Sequence, residues 1–124
     1  LHPTNYMLLS ILLLLVGNLQ GAKAETLPHP AGCPRRAFCG CGASIEVFGR
    51  SVRELWLAAN WFRFPRAAPA PGMVAVRRHH VMVLRAPTAR GWQVFDANSG
   101  RGQTRVHERS LAGFTIVNPR GAGI

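Results

Sequence analysis

The sequence predicts an α+β fold in which N-terminal helices pack on a small antiparallel β-sheet. Three observations predict it. Helix signals are confined to the stretch between Cys39 and Phe62. From Met73 onward the chain breaks into short β-type runs rich in Val, Leu and Phe. The connections between those runs are short turns, which join antiparallel neighbours and are too short for parallel crossovers. The chain has 124 residues, one domain's worth, and its 48% apolar content argues against intrinsic disorder.

In chain order, Met7 to Val16 reads MLLSILLLLV. This apolar run is too short for a bilayer, which needs about 20 residues, and fits the core of a secretory signal. Ala22-Lys23-Ala24 matches the A-x-A processing pattern, so cleavage is expected after Ala24. The segment opens on Leu1-His2-Pro3 rather than on Lys or Arg. An uncleaved membrane anchor is the alternative, and contact with a membrane is expected only in that case. Export places the chain in the periplasm or outside the cell, where disulfides persist.

Residues 25–34 hold Pro28, Pro30, Gly32 and Pro34 and read as an extended linker. Cys39 to Phe48 reads as a short helix stopped by Gly49, with Gly40 and Gly42 weakening its first turn. Ser51 to Phe62 is the strongest helix signal. Ser51 and Glu54 have capping-box spacing, and Val52, Leu55, Trp56, Ala59 and Phe62 share one face. Arg66 to Gly72, RAAPAPG, is a loop. Met73–Val76, Val81–Leu84, Trp92–Phe95, Thr104–Val106 and Phe114–Val117 are the strand candidates. Pro87 to Gly91, Asn98 to Gly102 and Ala112-Gly113 are the turns between them.

The net charge is +10, from 15 Lys and Arg against 5 acids, and every cation except Lys23 is Arg. Such a chain is drawn to anionic polymers. The arginines are scattered as singles and pairs, with no nucleic-acid motif, so nucleic acid is not the expected partner. No GxxxxGK[ST] loop is present, which argues against nucleotide hydrolysis of that type. Solvation of the surface competes with polymer binding as the role of the arginines.

Three cysteines in an exported chain suggest one disulfide and one free thiol. If Cys39 is the thiol, Cys33–Cys41 is the pair; Cys33–Cys39 with Cys41 free is the alternative. The spacing lacks the C-x₂-C knuckles of structural zinc, and no metal or cofactor is expected. A catalytic cysteine needs a thiolate, a base within reach and a group that orients the base. Cys39 stands where the first helix begins, His80 opens a β-run, and Asn98 follows the next strand. These three can converge over one sheet edge as a Cys–His–Asn triad. His79, next to His80, faces the other side of its strand. His29 and His107 read as surface residues.

Pro71-Gly72-Met73-Val74-Ala75-Val76, then His80-Val81, then Asp96-Ala97-Asn98 resembles the second half of a CHAP domain. CHAP domains are cysteine- and histidine-dependent amidohydrolases or peptidases of the NlpC-type, papain-like group. Arg36-Ala37-Phe38-Cys39-Gly40, Leu57-Ala58-Ala59-Asn60-Trp61 and the segment from Arg105 to Gly113 resemble small exported CHAP-like proteins of proteobacteria. The chain departs from the family pattern at Met73, where Asp is usual, and at His79, where Gly is common. The resemblance covers Cys33 to Pro119. It implies a CHAP-like domain over residues 35–119 with a tail at 120–124. It also implies Cys39 as nucleophile, His80 as general base, Asn98 as the group orienting the imidazole, and Asp96 as the acid preceding it. The implied activity is amide hydrolysis in peptidoglycan by a monomer. A catalytically inactive module that binds cell wall or another anionic envelope polymer is the alternative.

Overall fold

The computed structural model describes residues 23–121. The expected signal segment therefore lies outside the described residues except for Lys23 and Ala24, as do residues 122–124 of the tail. Six strands form one antiparallel sheet: β1 (Glu25–Leu27), β2 (Val74–Arg77), β3 (His80–Thr88), β4 (Gly91–Asp96), β5 (Thr104–Arg109) and β6 (Thr115–Val117), in the order β1-β5-β4-β3-β2-β6. One α-helix, α1 (Cys39–Phe48), and two short 3₁₀ helices (Arg53–Leu55 and Ala58–Arg63) complete the α+β fold.

The β-runs are apolar at successive positions because the middle of the sheet is covered on both faces. On one face Val74, Val76, Val81, Val83, Phe95, Val106 and Val117 pack against Phe38, Leu55, Trp61 and Phe64 from the helical half. On the other, Ala75, Met82, Leu84 and Val94 are covered by Met73, Trp92, Leu111, Phe114 and Ile116.

Helix α1 has the bounds its sequence predicts. Gly49 adopts the left-handed conformation (φ 75°) and its N–H closes the last turn on the Ile45 carbonyl at 2.8 Å. The structure also explains the helix-weakening glycines. A Cβ at Gly40 would overlap the Leu55 carbonyl oxygen, and one at Gly42 would overlap the Ala97 side chain. Both glycines let the first turn of α1 press close to its neighbours.

Two expectations are corrected. The helix expected from Ser51 to Phe62 is broken into the two 3₁₀ segments, with Val52 and Leu57 extended. The cause is competition for its carbonyls. The Trp61 indole N–H takes the Leu55 carbonyl at 2.8 Å and the Asn60 amide takes the Glu54 carbonyl at 2.7 Å. Ser51 caps nothing; its hydroxyl oxygen accepts from the Trp56 indole at 2.8 Å, and Ser44 Oγ accepts the Val52 N–H instead. The linker expected at 25–34 begins as a strand: Glu25 pairs with Val106 and Leu27 with Thr104. The adjoining segment is tied to α1 by a Cys33–Cys41 disulfide.

The β2–β3 hairpin sets up the site. Arg77 pairs with His80 across a two-residue turn, so His80 is the first residue of β3 at the end of the sheet. Among the described residues, no helix is long and apolar enough to cross a membrane.

Candidate active site

Cys39 is the first residue of α1. The residue before it, Phe38, makes no side-chain cap, and no acid occupies the first turn. The free N–H groups of that turn carry partial positive charge. Ala37 holds a left-handed φ of 48°, a conformation disfavoured for an alanine, which bends the chain into the helix just ahead of the cysteine. Because Cys33 and Cys41 are bonded to each other, Cys39 is the free thiol, and it is 5% exposed. Its sulfur lies 4.0 Å from the His79 carbonyl oxygen, and the thiol is close enough to the His80 ring to favour the imidazolium.

The imidazole of His80 is gripped from its other side. Its Nε2 lies 2.5 Å from Asp96 Oδ1, which leaves Nδ1 as the nitrogen for proton exchange with the thiol. Asp96 is 0% exposed. Its second oxygen, Oδ2, accepts from His107 Nε2 at 2.7 Å and from Arg109 Nη1 at 3.0 Å. A buried carboxylate survives only if it is paired and hydrogen-bonded, and three side chains do that here. Burial alone would raise its pKa. The hydrogen bonds from His80 and His107 outweigh burial and hold Asp96 far below the usual carboxylate range. Burial likewise disfavours the His80 imidazolium, yet the hydrogen bond to Asp96, with the carboxylate charge and the neighbouring Cys39 thiol, pushes its pKa up to about 9.

The orienting group is a correction. Asn98 was expected to hold the imidazole, and Asp96 occupies that place instead. Strand alternation accounts for it. Phe95 and Ala97 pack with the helix-covered core while Val94 packs with Met82 on the other face. Asp96 therefore projects on the face that His80 shares with Met82. Asn98 lies beyond the strand, in the left-handed conformation (φ 56°), and lines the cleft beside His80.

His107 is a second correction. It was read as a surface residue, but it is 12% exposed and bound to Asp96. Three alternate residues of β5, Arg105, His107 and Arg109, form one polar row. Arg105 donates through Nε and Nη2 to Ser99 Oγ at 3.2 and 2.8 Å, and His107 Nε2 lies 3.5 Å from the same oxygen. The period-two spacing of these residues was the signal that could have found the row. His29 is also engaged: its Nε2 bonds the Cys33 carbonyl at 3.1 Å and its ring meets Phe38 edge-on at 4.5 Å. His79 is exposed at the turn.

The chain thus places a thiol at a helix start beside an imidazole that is hydrogen-bonded to a buried carboxylate. This arrangement can generate a thiolate, store its proton and return that proton to a leaving group. No family model matches the chain, and neither the curated proteins nor the solved structures contain a match to it.

Proposed function

We propose that the chain is a periplasmic or secreted cysteine hydrolase of CHAP-like, papain-like type that cleaves amide bonds in peptidoglycan. The observation that carries this reading is the line Cys39–His80–Asp96, with the only unpaired cysteine at the first turn of α1. In the reaction His80 Nδ1 accepts the Cys39 proton and the thiolate attacks the amide carbonyl carbon. The backbone N–H of Cys39 faces the developing oxyanion; one such donor is typically worth about 2.7–4 kcal/mol. The C–N bond breaks as the imidazolium gives its proton to the departing amine, leaving a thioester on Cys39. Water, deprotonated by His80, then hydrolyses the thioester and restores the thiol. Asp96 holds the ring in the tautomer with its proton on Nε2 and stabilises the imidazolium. His107 and Arg109 act through Asp96 as positioning residues.

The test is digestion of purified peptidoglycan with release of soluble fragments read by mass spectrometry. The wild-type chain releases fragments with a new amine terminus, and Cys39→Ala releases none while melting as a folded protein. Turnover retained in Cys39→Ala overturns the mechanism. The burial of Cys39 favours a second reading, a module that binds cell wall through its arginines without cutting it. Retention on cell wall with no released fragments selects that reading.

A further inference from the structure

We propose that the cleft beside His80 is a subsite for a free carboxylate of the substrate, held by Arg77 and Arg105; the inference rests on the reading of Cys39 as the nucleophile. The cleft has a volume of about 380 Å³, and Arg77, His79, His80, Asn98, Arg105 and Arg109 stand in its wall. Its cations are unevenly employed. Arg109 is spent on Asp96. Arg105 has only the neutral Ser99 hydroxyl as partner, at 2.8 and 3.2 Å. Arg77 lies over the Phe114 ring at 4.7 Å. Among the described residues neither Arg77 nor Arg105 pairs with a carboxylate: the side-chain acids engaged in ion pairs are Glu46, with Arg85, and Asp96. Asp96, bonded to His80 and Arg109 of the cleft wall and to His107, is already surrounded by these partners. Glu108 alternates to the other face of β5 from Arg105 and Arg109.

The rim is preorganised. Asn98 and Arg101 both hold left-handed backbone (φ 56° and 57°), and the Ser99 N–H closes the turn on the Gln103 carbonyl at 2.7 Å. Such strain persists only where the surroundings enforce it. The same Ser99 fixes the Arg105 guanidinium. A planar guanidinium fork held at the edge of a cleft is matched to a carboxylate. An amide carrying a free carboxylate near the scissile bond would be drawn in by this field and seated beside His80.

Alkylation of Cys39 by iodoacetate and by neutral iodoacetamide, at pH 6 and low salt, tests the subsite. In both reactions sulfur displaces iodide, so the reagents differ chiefly in the carboxylate. The readout is the iodoacetate-to-iodoacetamide rate ratio at Cys39, divided by the same ratio for N-acetylcysteine. The expected normalised ratio is well above one. Arg77→Gln and Arg105→Gln each lower it by about two- to fivefold, the scale of one unit charge a few ångströms away in water. Arg77 is exposed, so its variant tests the proposal even if Arg105→Gln fails to fold. Glutarate is expected to slow iodoacetamide labelling at concentrations where inorganic phosphate does not. Rapid labelling by iodoacetamide with a ratio unmoved by either variant overturns the subsite and leaves the nucleophile standing. Better protection by phosphate overturns the carboxylate assignment. No labelling by either reagent at pH 6 overturns both.

Discussion

Strands β3 and β4 carry two different chemistries on one face. Toward one end, Met82, Leu84 and Val94 are buried in an apolar layer beneath the partly exposed Trp92 and Phe114. Toward the other, His80 and Asp96 continue the same alternation, joined by His107 and Arg109 from β5. The apolar end gains free energy from burial, without regard to pH. The polar end must offset the desolvation of a carboxylate and an imidazole, and does so with hydrogen bonds and opposite charge. The difference teaches that the fold carries a costly buried charge network at the one corner where the helix start brings the free thiol.

The sharpest way to separate the ends is chemical. Cys39→Ala is expected to abolish peptidoglycan turnover while lowering the unfolding free energy by only about 1 kcal/mol, because it deletes a single sulfur atom and leaves only a small cavity. Asp96→Ala strikes the polar end itself. It strands His80, His107 and Arg109 without their shared acceptor, and a loss of about 3–5 kcal/mol in urea unfolding is expected. Leu84→Ala strikes the apolar end. Its expected cost is about 2–5 kcal/mol, with Cys39 labelling at pH 6 unchanged. A Leu84→Ala variant that slowed labelling as much as Asp96→Ala would erase the distinction between the ends.

A pH series sharpens it further. The folded-state pKa of His80, about 9, lies above its ordinary value of 6.5. Its contribution is therefore complete below about pH 6.5 and is lost as pH rises through about 9, an effect on the order of 3 kcal/mol. Asp96 is depressed, so its contribution is present above about pH 4 and is lost as pH falls through its low folded-state value. Wild type is expected to lose stability between pH 6.5 and 9.5, and Leu84→Ala to follow a parallel curve. His80→Ala is expected to run flatter over that window. Parallel curves for wild type and His80→Ala would rule out the network as the source of alkaline destabilisation. The smallest effect belongs to the partly exposed Arg85–Glu46 pair at 2.9 Å, whose removal by Glu46→Gln is expected to cost at most about 1 kcal/mol.

Much of the architecture was legible in the residues. Gly49 marked the end of α1, and the five β-runs with their turn residues located five of the six strands to within a few positions. Cys39 and His80 were legible as candidates because a helix start and a strand start are local signals. The third member was less so. Asp96 and Asn98 are two positions apart in a strand-then-turn segment, and only the end of β4, with the left-handed turn at Asn98, decides which one meets the imidazole. His107 was missed because its partner sits on another strand. The segment from Ser51 to Phe62 has a sound helical pattern, yet the Trp61 indole and Asn60 amide take its carbonyls. Strand β1 was hidden because Glu25 to Leu27 has little pattern of its own and is held by the edge of β5.

Local backbone preference and apolar periodicity, which act over a few residues, were enough to determine an α+β chain with a cysteine at a helix start and a histidine at a strand start. The tertiary structure decided what depends on pairing between distant segments. It chose Cys33–Cys41 as the disulfide, made Asp96 the buried partner of His80 with His107 and Arg109 behind it, and gathered Arg77 and Arg105 around one cleft. Those choices follow from strand register and desolvation, since a buried charge must find its partners wherever the fold brings them.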